Sequence, residues 1–273
     1  MGFSQKVTWA VSGFLFPHFL LANTEILAPE GTDLIEGTSF HKHDPKRPQP
    51  RKVITKQPVS IEAPQDATVI FNGKDLNNFQ KGNSPIISKI SKEGFINLGP
   101  GGLSTKQTFS DCQLHLEWRI PKENKIKGQK GSNSGILFLG YFEIQILESS
   151  NNPSYPDGQA GALYGEKPPL VNASSAQGEW QSYDIIFTAP KYKNKKQIAP
   201  ARVTLIHNGV VVHHHEAFQN ISSYRKHLPY PNFPLQEGPI QLKWDGDSVQ
   251  FKNIWARELG QYDQKEVKKE TVK

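Results

Sequence analysis

Glu143 and Gln145 stand two residues apart in the stretch YFEIQILES, Tyr141 to Ser149. In an extended strand, side chains alternate between faces. Glu143 and Gln145 therefore project to one side while Phe142, Ile144 and Ile146 project to the other. A carboxylate can take and return a proton, and a primary amide can both donate and accept hydrogen bonds. Set on the floor of a groove, the pair suits hydroxyl-rich or carbon-acid substrates; facing water, it would simply be solvated. Alternation alone leaves both readings open.

Other residue types with chemical potential carry weaker patterns. VVVHHHEAF puts His213 and His215 on one strand face, and HKHD sets His41 and His43 two apart. Either spacing could begin a metal site, yet no third ligand follows at a recognised distance. His207, just before Asn208-Gly209, reads first as a hairpin-end residue. The sequence has no Gly-rich phosphate loop, nucleophile elbow or triad spacing. Cys112 is the single cysteine, so an intramolecular disulfide is excluded, and it reads as a small buried apolar residue.

The elements that must position these groups read as strands. ATVIFNG, GFINLG, CQLHLEWRI, GILFLGYFEIQILES, EWQSYDIIFTA, ARVTLIHNG, VVVHHHEA, PIQLKW and SVQFKNIWARE nearly all alternate, and turn residues separate them. Asn208-Gly209 predicts a hairpin, and Asp245-Gly246 predicts a second between PIQLKW and SVQFKNIW. Strands at this spacing without helical interludes predict an all-β antiparallel sandwich or jelly roll. The polar faces of CQLHLEWRI and EWQSYDIIFTA would form a groove if the sheet curves. Two segments break the rhythm: a lysine-rich loop over 122–133, and a stretch over 150–178 rich in Tyr, Asn, Asp and Gln, suited to a sugar-binding rim.

Charge and composition divide the chain further. Residues 1–28 combine Lys6, an apolar run broken by Pro17 and His18, and small residues at Ala22 and Ala28, which predicts a cleaved secretory signal peptide and a secreted or periplasmic setting, with an uncleaved N-terminal anchor as the alternative. Of the net +6, His41 to Ser60 carries six Lys/Arg against one Asp, so 29–65 reads as a basic, Pro-rich linker able to rest weakly on an anionic envelope surface. Aromatics are not interleaved with those cations, which argues against nucleic-acid binding. The folded domain is expected over 66–260, and 261–273 reads as a charged, solvated tail.

FNGKDLNNF, SNSGILFLGYFEIQILES, DGQAGALYGEKPPLVNAS, GEWQSYDIIFTAP, PARVTLIHNGVVV, and GPIQL followed by FKNIWAREL occur in that order. The series resembles the 3-keto-disaccharide hydrolase domain family, which has a concanavalin A-like jelly roll. The resemblance implies a carbohydrate partner and cleavage of glycosides oxidised to a ketone at C3. It implies Glu143, His207 and Asp245 as catalytic candidates. Substrate-binding candidates are Gln145, Glu148, Tyr141, Asp157, Gln159, Tyr164, Glu179, Trp180 and Trp244. No cofactor is identified, and a divalent metal is compatible with the chemistry without a ligand set being named. Two departures stand out. The family's arginine is missing over Leu139 to Phe142, and LKWDG replaces L-Q-D-H-G, placing Trp244 and Asp245 where aspartate and histidine are usual. They keep a second reading open, a noncatalytic carbohydrate-binding module of the same fold.

Overall fold

The structure is a computed structural model that describes residues 28–260, apart from 57–59, 83, 126, 153 and 247–248. The stretch read as a signal peptide, up to residue 27, and the tail over 261–273 lie outside the described residues. The first strands are β1 (Arg51–Lys52), β2 (Thr68–Phe71), β3 (Phe79–Gln80), β4 (Lys89–Ile90), β5 (Ile96–Asn97) and β6 (Leu103–Phe109). The middle of the chain supplies β7 (Cys112–Arg119), β8 (Ser134–Phe138), β9 (Phe142–Ile146), β10 (Val171–Asn172) and β11 (Gln181–Thr188). The rest are β12 (Lys191–Lys193), β13 (Lys196–Ala199), β14 (Arg202–His207), β15 (Val210–Ala217), β16 (Gly238–Trp244) and β17 (Gln250–Glu258).

These strands build an antiparallel jelly-roll sandwich. The larger sheet runs β15-β14-β11-β7-β17-β5-β4 with β2 also on β17; the smaller runs β3-β6-β16-β8-β9. Alternation explains the layers. Leu114, Leu116 and Trp118 of β7 and Tyr183, Ile185 and Phe187 of β11 point inward from the larger sheet, and Ile136, Phe138, Phe142, Ile144 and Leu242 meet them from the smaller. Phe138 stacks on Phe187 across the interface with ring centroids 4.3 Å apart. Tyr183 reaches further, its buried hydroxyl donating to the Gln145 carbonyl at 2.9 Å. Cys112 is fully buried, and burial pushes its thiol up to about 12, as befits an inert core residue.

Three expectations change. The run GILFLGYFEIQILES is two strands, because Leu139 and Gly140 take positive φ (55° and 78°) and fold β8 back onto β9. Burial of the Leu139 side chain holds a conformation that leucine rarely adopts. Asn208-Gly209 does join a hairpin, β14 to β15. Asp245-Gly246 does not, since β16 and β17 belong to different sheets and the turn crosses between them. The segment read as a linker is turn-rich over 30–47, with Leu34 bridged to His41, and it is seated on the sandwich. Arg51 and Lys52 pair in parallel with Val171 and Asn172, and the amines or guanidinium of Lys42, Arg47 and Lys52 donate to domain carbonyls.

The polar face of β7 also differs from the expected groove. His115 and Glu117 are buried on the outer side of the larger sheet, beneath Ser60 and Ile61. His115 Nδ1 lies 2.7 Å from Asp184 and its ring stacks on Trp255. Burial opposes its charge, but Asp184 and Glu117 prevail and raise its pKa to about 9. Glu117 is lowered to about 2: its burial is outweighed by His115, Ser60, Asn253 and Lys252.

Candidate functional site

Glu143 sits on the outer face of the smaller sheet, opposite Leu137 in the β8–β9 register. Its neighbour Gly135 explains how a carboxyl fits there, because a Cβ at that position would lie 2.4 Å from Glu143 Oε1. In the same sheet Lys243 of β16 is registered against Gly135, and Gly135 against Gln145. A cation therefore arrives directly over the carboxyl. Lys243 Nζ donates to both Glu143 oxygens at 3.1 and 3.2 Å and lies 2.8 Å from Asp245 Oδ2.

The 150–178 stretch closes the free edge of β9. The Gln145 backbone N–H donates to the Ala162 carbonyl and the Tyr164 backbone N–H to the Glu143 carbonyl, at 3.0 and 3.1 Å. The Glu143 N–H in turn donates to Ser222 Oγ at 2.8 Å. Tyr164 lies with its ring centroid 5.4 Å from Lys243 Nζ, and its phenol is close enough to that of Tyr155 for each to influence the other's ionisation. Gln145 holds its amide between Asn133 Oδ1 at 3.1 Å and, on its other side, the Ser134 carbonyl at 2.9 Å with Glu143 Oε1 at 3.3 Å. The acceptors on that second side call for the amide nitrogen to face them.

Electrostatics follow from this burial. Glu143 is only 3% exposed, and loss of solvent raises its pKa to about 7 despite Lys243, with Asp245 adding to the rise. Burial alone would lower Lys243, but Glu143 and Asp245 hold it raised and charged. Burial also raises Tyr164, and the nearby Glu143 adds to that. The result is a carboxyl poised between its two protonation states beside a fixed ammonium, the arrangement general acid–base chemistry at neutral pH requires. A cavity of about 320 Å³, lined in part by Gln80, Ser104, Gln241, Lys243, Trp244 and Asp245, adjoins the pair. That volume is at the lower end of small-molecule sites, roughly 300–1,000 Å³.

Of the residues expected from sequence, Glu143, Gln145, Tyr164 and Asp245 come together here, with Trp244 part-buried at the cavity wall. Asp157 lies behind Tyr155 and Tyr164, its Oδ2 accepting the His43 backbone N–H at 2.9 Å. Tyr141 packs against the core in the β8–β9 turn. Glu148 is taken up by the N–H groups of Ser150 and Asn151, and Gln159 by Gln49. His207 is not in the site. It is buried on the inner face of β14 against Trp118 and Tyr183, 2.9 Å from Gln181 Oε1, and burial lowers its pKa to about 3. Trp180 lies just before β11, on the larger-sheet side, where Arg119 and Lys252 each sit 4.5 Å from its ring. Glu179 accepts the Ala176 N–H in the turn before it.

Sequence reasoning missed Lys243, Tyr155 and Asn133. Alternation in GPIQLKW puts Gln241 and Lys243 on one face, a signal that could have found Lys243. The cation that the missing arginine seemed to remove is supplied to Glu143 from this other strand. His213 is fully buried with Nε2 2.8 Å from the Gly161 carbonyl, while His215 is exposed. Among the described residues no group of three or more His, Cys, Asp or Glu is gathered to hold a metal.

Comparison with known proteins fits this architecture. A candidate glycosyl hydrolase from Parabacteroides distasonis ATCC 8503, solved at 2.13 Å, is 34% identical, with a TM-score of 0.69 over 78% of this chain and 94% of its own. Two further candidate glycosyl hydrolases from that organism share the fold at 20% and 22% identity, with TM-scores of 0.51 and 0.50. Each alignment covers 71% of this chain, and 94% and 99% of theirs. No curated protein matches the chain. The 3-keto-alpha-glucoside-1,2-lyase-like domain matches residues 66–257, and the protein belongs to that family.

Proposed function

We propose that this protein cleaves glycosides that carry a ketone at C3, using the groove over the smaller sheet. The observation that carries the reading is the Glu143 carboxyl, nearly buried, raised to about 7 and bridged by Lys243 to Asp245. Its 34% identity to a candidate glycosyl hydrolase supports carbohydrate chemistry.

A C3 ketone makes the C2 proton acidic. Ionised Glu143 takes that proton, and the C2–H electrons move into the C2–C3 bond as the carbonyl becomes an enolate oxyanion. Lys243, kept charged by Asp245, faces the developing negative charge. When the enolate collapses, the ketone reforms, a C1–C2 double bond forms and the C1–O bond breaks. The departing oxygen takes the proton that Glu143 now holds. Water then adds its hydroxyl to C1 and its proton to C2, so the net change is hydrolysis. Gln145, fully buried with its amide 3.3 Å from Glu143 Oε1, holds the carboxyl in place.

The test incubates purified protein with a 3-keto-glucoside and with its unoxidised parent, with and without chelator, and follows released sugar by mass spectrometry. Release from the keto form alone is expected. Binding of both sugars with cleavage of neither would overturn the assignment and leave a binding surface, and loss of release with chelator would add a metal to the mechanism.

A further inference from the structure

Residues 33–47 lie ahead of the family domain, yet the domain has a seat for them. Asp33 exchanges bonds with the 225–227 loop: its N–H donates to the Arg225 carbonyl, and its carboxylate accepts from the His227 N–H and Lys226 Nζ. Lys42 is fully buried, an unusual place for a lysine, and its amine donates to the Ser223 carbonyl at 2.8 Å and the Lys226 carbonyl at 3.2 Å. Gly165 leaves room for that side chain, since a Cβ there would lie 2.7 Å from Lys42 Cε. The 222–227 loop that receives Lys42 also supplies Ser222, whose hydroxyl accepts the Glu143 N–H.

His43 follows in a left-handed conformation (φ 62°), which a non-glycine residue adopts only when its surroundings hold it there. Asp157 holds it by accepting its backbone N–H at 2.9 Å. The ring is fully buried among three tyrosines, with centroids 4.3 Å from Tyr155 and 5.1 Å from both Tyr164 and Tyr224. Neither ring nitrogen makes a hydrogen bond among the described residues; Nδ1 comes no nearer than 3.5 Å to Asp157 Oδ2. The imidazole thus acts on its neighbours through its faces, and two of those neighbours are Tyr155 and Tyr164, the latter with its ring centroid 5.4 Å from Lys243 Nζ.

We infer that the 33–47 segment is an integral part of the candidate site and that His43 is a positioning residue, fixing the Tyr155–Tyr164 pair against Glu143 and Lys243. The inference rests on the reading of the Glu143 groove given above. It joins a conformationally strained backbone, a buried lysine anchor and a glycine cut-out in the domain to a single end, the placing of one ring.

The test makes His43→Ala, His43→Phe and Glu143→Gln in the full chain and measures kcat and KM on a 3-keto-glucoside, with thermal midpoints alongside. His43→Ala should lower kcat on the order of tenfold to a hundredfold, the scale of a displaced site group, with a smaller change in KM. His43→Phe restores a ring against the tyrosines and should recover most of that loss. Equal loss in Ala and Phe overturns positioning by the ring, as does wild-type turnover in His43→Ala. Glu143→Gln separates the two readings: if it turns over normally while His43→Ala does not, the Glu143 assignment falls and the role of His43 in the site survives. Amide hydrogen exchange in the same variants needs no substrate. Faster exchange over 161–166 in His43→Ala, with β7 and β11 unchanged, is expected; unchanged protection over 161–166 overturns the inference even if the wild type cleaves neither sugar.

Discussion

Replacing Glu143 by Gln removes a buried ionisable group while keeping its size. Burial raises the wild-type carboxyl to about 7 when folded, against an ordinary glutamate value of 4.5. Between those values the unfolded chain gives up a proton that the folded chain keeps, so the folded state loses stability as pH rises through that window. At about 1.4 kcal/mol per unit, the loss is on the order of 3 kcal/mol. Gln mimics the protonated form at every pH, and Lys243 retains Asp245 as its partner. Glu143→Gln should therefore match the wild type at roughly pH 4 and exceed it by up to about 3 kcal/mol at roughly pH 8. In a domain of this size that is a rise in thermal midpoint of roughly 6–12 °C. Glu166, also raised to about 7 by burial, titrates in both proteins and cancels in the comparison. Urea unfolding at the two pH values measures the difference, and the same variant should lose about 100-fold to 10,000-fold in kcat. A stability difference that does not grow with pH would refute the reasoning, because the carboxyl would then be an ordinary solvated one.

Gly135→Ala puts a methyl group 2.4 Å from Glu143 Oε1. The carboxyl must move, so kcat should fall well beyond what a stability loss of about 1–3 kcal/mol explains, as parallel kinetics and unfolding would reveal. Lys243→Met removes the cation that holds Glu143 down; the ionisation of Glu143, read in the pH–rate profile, should shift upward. Tyr183→Phe leaves the Gln145 carbonyl without its hydroxyl donor and should cost about 1 kcal/mol in urea unfolding. Asp184→Asn weakens the support that raises His115 to about 9. A raised histidine stabilises the fold fully below its unfolded value and loses that contribution as pH climbs through its folded one. The deficit of the variant should be greatest at roughly pH 6, shrink as pH rises from there, and be largely gone above about pH 9, as unfolding at both ends would record.

Much of this arrangement was legible in the chain because it rests on period-two patterning. The inward faces of β7 and β11 and the shared face of Glu143 and Gln145 follow from alternation alone. What stayed hidden depends on tertiary context. Leu139 at positive φ has no local sequence mark, so the β8–β9 hairpin read as one strand. His207 looked available on its hairpin, but the register with β11 turns it inward onto Gln181. The seat of Lys42 and His43 uses Ser223, Lys226 and Asp157, all more than a hundred residues away, and a basic Pro-rich composition gives no hint of it.

The order of strands in the two sheets also bears on time. β16 is the middle strand of the smaller sheet, and β17 joins β7 to β5 and β2 in the larger. Without residues 238–258 each sheet is in separate pieces, and Lys243 is not there to meet Glu143. A chain emerging from the ribosome thus holds its sandwich open until these two strands insert. Closing such distant pairings is slow, and the unpaired edges of β6, β7 and β8 are exposed to aggregation while it waits. The near-neutral carboxyl does not exist before that insertion. It is made in the step that completes the fold.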